Sequence, residues 1–363
     1  MHSQDEIGKM AAGLRIHGGR IDVAAHLYPS APQPWIDLST GINPVAWPLQ
    51  QIPLARYQRL PLASEIAAMT EAAAAAYSCP SNAAIVPVSG TELAIRLMPQ
   101  VFDASRVGIL APTYGSHAAA WHDAGAEVHE LAALPDPNIR GLQALVVVNP
   151  NNPDGRAIAR TDLAAFARAW TASGRRLIVD EAFADVRPDL SLLALPELPV
   201  GVVVLRSLGK FFGLAGLRVG FIVGREREAA VWRRLLGDWP VSGPACEIAT
   251  LALRDTAWIA ATRTRLAADR RRLDGTLMDA GLRLLGGTDL FGLFEGPDGI
   301  DLLDHFARAG ILIRGFAAAP RHYRFGLPAD EAAWLRFEAA CRAASSPAIR
   351  PNTAESVTPR PAR

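Results

Sequence analysis

The feature that most constrains the fold is an alternation of short β-rich runs with amphipathic segments between residues 83 and 224. Runs such as AAIVPV, RVGIL, ALVVV, RLIV and VVVL carry the branched apolar residues of buried strands, whereas DLAAFARAWTA has helical spacing. Strands that alternate with helices form crossover units, in which the strands are parallel and both faces of the sheet are covered. The pattern therefore predicts an α/β fold with a mostly parallel sheet.

The chain beyond residue 235 has a different pattern. Long helices rich in Arg and Ala are followed by the strand-like runs LRLL, FGLFEG, ILIRGF and HYRFGL, which predict a smaller α+β domain. At 363 residues, half of them hydrophobic, the chain is long enough for two domains. We predict an N-terminal segment (1–45) that packs with the small domain, a large domain (46–235), the small domain (236–344) and a disordered tail rich in Pro, Ser and Thr (345–363).

The charge balance, the cysteine count and the apolar runs indicate which binding partners and which cellular compartment the chain suits. The chain has 37 basic and 36 acidic residues, and a formal net charge of +1 is too small to bind nucleic acid or an anionic membrane through bulk charge. Three widely spaced cysteines, Cys79, Cys246 and Cys341, suit a reducing compartment and match no zinc pattern, so we predict no metal site. The N-terminus has no signal-peptide core and no run is long enough to span a membrane. We predict a soluble cytoplasmic protein.

Lysine is nearly absent from the chain. Of the 37 basic residues only Lys9 and Lys210 are lysine, as expected where arginine replaces lysine wherever a positive charge suffices. Arginine cannot provide a primary amine, whereas a desolvated lysine can lose its proton and act as a nucleophile. Lys210 lies between two apolar runs, which makes it the candidate for a reactive amine.

Polar residues collect after the predicted strands, where open parallel sheets bind ligands. The first strand is followed by Ser89, Gly90, Thr91 and Glu92 at the beginning of a helix. Two interpretations stay open: a capping box formed by Ser89 and Glu92, or an anion site at the helix N-terminus.

Later strand ends carry further polar groups. Tyr114 follows RVGIL, and the Asn-rich run 149–155 follows ALVVV. Asp180 and Glu181 follow RLIV, where a charge is costly unless it has a partner. The run RSLG then leads directly to Lys210.

Other catalytic templates do not fit. The GK dipeptide lacks the remainder of a P-loop, and neither G-x-S-x-G nor H-E-x-x-H occurs. His117 and His122 are five residues apart, the wrong spacing for two ligands on one helix face, so we expect surface residues there.

The ordered set of motifs resembles the aspartate aminotransferase superfamily of pyridoxal-phosphate enzymes (fold type I), from about His17 to Ala344. This resemblance implies that Lys210 is the Schiff-base lysine and that Asp180 pairs with the pyridine nitrogen of the cofactor. It also implies that Tyr114 stacks on the ring and that Asn152 bonds the 3-oxygen. The residues it assigns to the cofactor phosphate are Gly90, Thr91, Ser207 and Arg218.

One position departs from the family pattern, and at another the alignment leaves two alternatives. Phe183 stands where the family usually has a tyrosine that also bonds the 3-oxygen, so that bond is lost. The tyrosine that reaches the phosphate from a neighbouring subunit corresponds to Tyr57, or else the alignment places Leu60 there.

The segments HGG, IDLSTGINP, NPNNPDGR, DEAFADV and SLGKFFGLAGLR resemble the cobalamin-pathway branch related to histidinol-phosphate aminotransferase. The resemblance to this branch implies a homodimeric lyase that decarboxylates L-threonine O-3-phosphate, a small phosphorylated amino acid, to (R)-1-amino-2-propanol phosphate. Substrate contacts are then expected from His17, Asn43 and Arg324, with Arg324 as the anchor of the carboxylate.

Two other functions stay open at this point. One is an aminotransferase acting on histidinol phosphate or another amino acid, because the choice of reaction depends on a torsion angle at the substrate α-carbon. The other is a catalytically inactive relative that only binds, against which the retention of Lys210 argues.

Overall fold

The structure, a computed structural model, describes residues 13–15 and 18–344. The predicted tail, 345–363, lies outside the described residues. The strands in chain order are β1 (Ile36–Asp37), β2 (Ala83–Val88), β3 (Arg106–Leu110), β4 (Glu127–Leu131), β5 (Ala144–Val148), β6 (Arg176–Asp180), β7 (Val202–Ser207), β8 (Gly220–Arg225), β9 (Arg283–Thr288), β10 (Phe291–Glu295), β11 (Ile311–Leu312), β12 (Arg314–Phe316) and β13 (Ala319–Phe325).

The α-helices of the described residues are numbered in the same way. They are α1 (Ile21–Leu27), α2 (Ala55–Gln58), α3 (Ala63–Ala76), α4 (Thr91–Val101), α5 (Gly115–Asp123), α6 (Arg160–Thr171), α7 (Glu226–Leu236), α8 (Gly243–Arg254), α9 (Thr256–Asp279), α10 (Leu302–Arg308) and α11 (Glu331–Ala344). No helix within 13–15 and 18–344 has the length and apolar character of a membrane span.

The main sheet has seven strands in the order β2-β8-β7-β6-β5-β3-β4. The pairs from β7 to β4 are parallel, and β8 runs antiparallel to both of its neighbours. All five residues of β5 are buried, as expected for a strand covered on both faces. The predicted α/β class with a mostly parallel sheet is confirmed.

A hydrophobic cluster joins helices α4, α5 and α7 to this sheet. Ile95, Trp121 and Trp232 come from the three helices, and none is more than 2% exposed. Burying one large apolar side chain contributes about 1.5–3 kcal/mol, so this cluster makes the sheet a rigid support for the residues at its edge.

The division of the chain differs from the predicted domain boundaries. The larger unit comprises 41–272 and 285–293, and the smaller unit comprises the described residues up to 40 together with 273–284 and 294–344. Helix α8 packs against α3, and Arg56 pairs with Glu247 at 2.7 Å, so the chain after residue 236 continues in the larger unit. In the smaller unit β1 pairs in parallel with β11, and separately β12 pairs antiparallel with β13.

Candidate active site

The carboxyl ends of the parallel strands lie side by side at one edge of the main sheet. Val148 is paired with Asp180 and Asp180 with Leu205, so the residues that follow β5, β6 and β7 share this edge. A cavity of about 150 Å³ lies there. Since one water needs roughly 10–15 Å³ of such a volume, the cavity has room for a ring-sized molecule. Its lining includes Gly90, Thr91, Tyr114, Asn152, Asp180, Ser207, Lys210 and Arg218.

At one end of the cavity the beginning of helix α4 lies beside a guanidinium. Gly90 precedes α4 with φ of +84°, in the left-handed region that glycine adopts without strain. A Cβ atom at this position would lie 2.5 Å from Nη2 of Arg218. The first N–H groups of a helix have no partner within the helix. A guanidinium beside these amide donors suits a phosphate dianion.

The capping-box interpretation of this segment is wrong. The hydroxyl of Ser89 donates to the carbonyl of Pro240 at 2.5 Å, and no side chain caps α4. The carboxylate of Glu92 accepts hydrogen bonds from the Tyr114 hydroxyl at 3.0 Å and from Nε of Arg96 at 3.1 Å. The beginning of α4 is therefore not closed by its own side chains.

Asp180 is buried and lies next to a histidine. Its Oδ2 is 3.0 Å from Nε2 of His117, and its Oδ1 accepts from the amide of Ala182 at 2.9 Å. Asp180 is 4% exposed and His117 is 2% exposed. These two bonds hold the carboxylate in a single orientation at the cavity wall.

The expectation of a surface position is wrong for His117, whereas His122 is exposed. Ala120 and Trp121 are buried three and four positions after His117, so all three residues lie on the face of α5 that packs inward. This spacing could have identified His117 from the sequence, whereas its partner could not have been identified.

Two neighbouring residues hold the side chain of Tyr114 in the cavity. The Tyr114 ring packs edge-on against His117, with centroids 6.3 Å apart, and its hydroxyl donates to Glu92. Burial raises the pKa of the Tyr114 hydroxyl, so it stays protonated as a donor.

Asn151 was not identified from the sequence, although it connects two functional segments. Its Oδ1 accepts from the Thr113 hydroxyl at 2.6 Å, and its Nδ2 donates to the Pro112 carbonyl at 2.9 Å and to Asp154 at 2.7 Å. These bonds join the turn that carries Tyr114 to the loop that carries Asn152. A sequence shows that such a loop is rich in turn formers, but it does not show which amide faces the cavity.

Lys210 follows β7 and lines the cavity. Its Nζ lies 5.6 Å from the centre of the Phe183 ring, which packs edge-on against Phe291. A Cβ at Gly41 would lie 2.8 Å from Phe291 and 2.9 Å from Phe183, so only glycine leaves room for this aromatic pair. The lysine amine therefore has an apolar neighbour on one side.

Arg324, Asn43 and His17, the residues expected to contact the substrate, lie in different parts of the chain: one in the smaller unit, one in the larger unit and one outside the described residues. Arg324 lies in β13 of the smaller unit, is buried, and donates from Nη2 to the Ser39 carbonyl at 2.6 Å. Asn43 lies in the larger unit, where both ends of its side-chain amide bond other protein groups. His17 lies outside the described residues. Tyr57 and Leu60, the alternatives for the neighbouring subunit's contact, are both exposed.

A second set of charges lies behind the cavity wall. This buried ion cluster consists of Glu181, Asp185 and Arg206, each 4% exposed or less. Arg206 bonds Glu181 at 3.1 Å and Asp185 at 2.7 Å, and Glu181 also accepts from the Ser191 hydroxyl and the Leu192 amide. Burial raises the pKa of the Glu181 carboxyl above its usual value, while Arg206 acts in the opposite direction.

Comparison with known proteins identifies the family of the chain. The family described as aminotransferase class I and II matches residues 53–344. A threonine-phosphate decarboxylase of Pseudomonas aeruginosa is 42% identical over 92% of this chain and 98% of its own length. A threonine-phosphate decarboxylase of Sinorhizobium sp is 42% identical over 87% of this chain and 94% of its own length.

A solved structure shows the same fold. Histidinol-phosphate aminotransferase from Sinorhizobium meliloti, in complex with pyridoxal-5'-phosphate, aligns with a TM-score of 0.73, 19% identity, and coverage of 89% of this chain and 94% of the other. Since the family match spans most of the chain and the two relatives are similar over nearly their whole length, the chain belongs to the aminotransferase class I and II family.

Proposed function

We propose that this protein is a pyridoxal-phosphate-dependent lyase that decarboxylates L-threonine O-3-phosphate to (R)-1-amino-2-propanol phosphate, a step in cobalamin biosynthesis. The observation that carries the proposal is that Lys210, Asp180 and the beginning of α4 line one and the same cavity. The relatives of similar length that bear the decarboxylase name support this choice of substrate.

The residues of the cavity fit the cofactor. The cradle at Gly90, which a Cβ would fill, together with Thr91, Ser207 and Arg218, would hold the phosphate. Asp180 would accept a hydrogen bond from the protonated pyridine nitrogen, and a charge-assisted bond of this kind keeps that nitrogen charged. Tyr114 would pack on the ring and Asn152 would bond the 3-oxygen.

When bound, pyridoxal phosphate supplies an electron sink for the pair left on the substrate α-carbon as a bond to that carbon breaks. His117 holds the carboxylate of Asp180 in one orientation, so a carboxylate that paired with the ring nitrogen would need no rearrangement during the reaction. Tyr114 and Phe183 exclude water from the sides of the cavity that they line.

Lys210 would carry the proton in the lyase reaction. Loss of carbon dioxide breaks the bond between the α-carbon and the carboxyl carbon, and the electron pair stays with the α-carbon. The Lys210 amine, protonated at Nζ, would then return one proton to that carbon as a general acid. Arg324 would bind the substrate carboxylate, because its planar fork matches a planar anion.

The scarcity of lysine allows a sharp test. In a Lys9→Arg variant Lys210 is the only lysine, so borohydride reduction of the cofactor-loaded protein should tag that side chain. Lys210→Arg should abolish both the tag and the visible band of the bound cofactor while keeping the positive charge. If the Lys9→Arg protein is not tagged, Lys210 is not the attachment site and the proposal fails.

Product analysis distinguishes the two reactions. Holoenzyme given threonine phosphate should release carbon dioxide and aminopropanol phosphate without any oxo acid. Transfer of the amino group to 2-oxoglutarate without carbon dioxide release would instead establish an aminotransferase.

We further propose a homodimer. Leu49, Leu54 and Tyr57 are each more than 60% exposed, although they lie in one short segment of the larger unit. These exposed apolar side chains support the proposal, because contiguous apolar surface on a protein commonly serves as a contact surface. Sedimentation should give a dimer mass, and Leu54→Asp should shift the protein toward monomer; a monomeric wild-type protein would refute the dimer.

A further inference from the structure

Asn43 is buried, and both ends of its side-chain amide are bonded. Its Nδ2 donates to the Phe211 carbonyl at 2.8 Å, and its Oδ1 accepts from the Val45 amide at 3.1 Å and from Nη2 of Arg265 at 2.6 Å. Its backbone amide donates to the Lys210 carbonyl at 2.9 Å. Asn43 is therefore bonded to the backbone of Lys210 and of the residue that follows it.

The residues after Asn43 continue this contact. The amide of Trp47 donates to the Phe212 carbonyl at 2.9 Å. A Cβ at Gly213 would lie 2.6 Å from Cα of Ala46, so the two backbones are packed too closely for any side chain between them. Residues 43–47 thus lie along the backbone of residues 210–213.

Arg265 adds a charged donor to the bonds that orient the side-chain amide of Asn43. It extends from α9 and also pairs with Asp269 at 2.8 Å, an arrangement that restrains its guanidinium. The oxygen and nitrogen ends of an asparagine amide have nearly the same shape, so packing alone does not select one orientation. Because Arg265 and the Val45 amide can only donate and the Phe211 carbonyl can only accept, all three favour the orientation in which Oδ1 faces the guanidinium and Nδ2 faces the Phe211 carbonyl.

We propose that Asn43 and Arg265 are a positioning pair for Lys210, and that Asn43 acts on the lysine backbone instead of on the substrate. This inference rests on the proposed function, because the position of Lys210 matters to the reaction only if its amine takes part. A reacting group misplaced by about 1 Å loses on the order of 100-fold in rate. The pair therefore affects the chemical step and not the binding of substrate.

Asn43→Asp is the most direct test. Aspartate has the same shape and still accepts from Arg265 and Val45, but it places an oxygen against the Phe211 carbonyl. We expect kcat of the holoenzyme to fall on the order of 10- to 100-fold, while KM for threonine phosphate stays within about threefold. Borohydride trapping at Lys210 should slow, and the pH at which the visible band changes form should move.

Asn82→Asp is the matched control. Like Asn43, Asn82 donates from Nδ2 to a backbone carbonyl and accepts at Oδ1 from a backbone amide, and here both groups belong to Leu198. This variant should lose thermal stability but keep the wild-type kcat, trapping rate and visible band.

Arg265 provides a second test in case Asn43→Asp does not fold. Arg265→Leu should reduce kcat less than Asn43→Asp does and should shift the visible band in the same direction, whereas Arg265→Lys, which can still donate to Asn43, should restore both. Arg308→Leu removes a comparable helical pair, with Asp304, and should change neither.

The outcomes separate this inference from the proposed function. If Asn43→Asp or Arg265→Leu lowers stability as Asn82→Asp does but leaves kcat, trapping and the visible band at wild-type values, the pair is only structural and the inference is wrong. If the Lys9→Arg protein is not tagged at Lys210, the proposed function fails, and the inference fails with it.

Discussion

Asp180 and Glu181 are neighbours in the chain, both are buried carboxylates, and they serve two different regions. Asp180 lines the cavity beside His117, whereas Glu181 belongs to the buried ion cluster with Arg206. Successive side chains at a strand end point in opposite directions, so one residue faces the cavity and the next faces the protein interior.

The difference between the two carboxylates lies in how each charge is balanced. Glu181 has protein partners on both oxygens, including a full positive charge, whereas Asp180 has one amide and one imidazole and also borders an open cavity. A buried charge needs a partner to be tolerated. We therefore expect changes at the ion cluster to affect stability and changes at Asp180 to affect the reaction.

The largest effect is expected from Arg206→Met. This change leaves Glu181 and Asp185 buried without their cation, which should lower the free energy of unfolding by about 3–5 kcal/mol. The measurement is urea unfolding of the apoprotein. Arg233→Met, which breaks an exposed pair with Glu226, is the control and should cost about 0–1 kcal/mol. Equal losses in the two variants would contradict the assignment of the cluster to stability.

In contrast to Arg206→Met, Asp180→Asn should affect the reaction rate more than the stability. The amide keeps the shape but removes the charge opposite the proposed ring nitrogen, so we expect kcat to fall roughly 100-fold, the scale for one electrostatic contact to a reacting group. The cost in unfolding free energy should be smaller than that of Arg206→Met. Steady-state assays and urea unfolding of the same preparation check both parts, and a variant that keeps wild-type kcat would refute the role of Asp180.

His117→Ala should have an intermediate effect, because His117 acts only through Asp180. We expect about a tenfold loss of kcat, equivalent to about 1.4 kcal/mol of barrier. His122→Ala, five residues along the same helix and exposed, should retain full activity. Equal activity of the two variants would mean that the bond to Asp180 has no role in the reaction.

The smallest effect is a dependence of stability on pH. The native pKa of Glu181 is raised above its ordinary value of 4.5, mainly by burial, so the native state binds its proton more tightly than the unfolded state does. Wild-type stability, relative to a Glu181→Gln variant, should therefore rise as the pH falls from the raised native value toward 4.5. Urea unfolding at several pH values tests this, and an opposite slope would show that pairing with Arg206 outweighs burial.

Much of the fold could be predicted because strands and helices leave local periodic patterns. The runs ALVVV and RLIV appear as β5 and β6, and the predicted family is confirmed. The domain boundary predicted near residue 235 differs from the division in the structure, because the helices beyond it resemble those of either domain and only their packing assigns them to the larger unit.

The candidate site was predicted in part. The residues assigned to the cofactor surround one cavity, and their roles there stay predictions. Asn43 was expected to contact the substrate, but its side chain bonds the Phe211 carbonyl, 168 residues away in the chain. The distance of five residues to His122 predicts a surface position for His117, whereas the apolar face that His117 shares with Ala120 and Trp121 buries it.

The sequence by itself determined the kind of fold and the chemical groups available: a parallel sheet from its apolar runs, and a single candidate amine in a chain almost without lysine. The tertiary structure alone decided which of two adjacent carboxylates faces the cavity, and which polar side chains support the reacting ones. The physical reason is that periodicity is a local property, whereas a hydrogen bond between distant segments exists only after the chain has folded and brought them together.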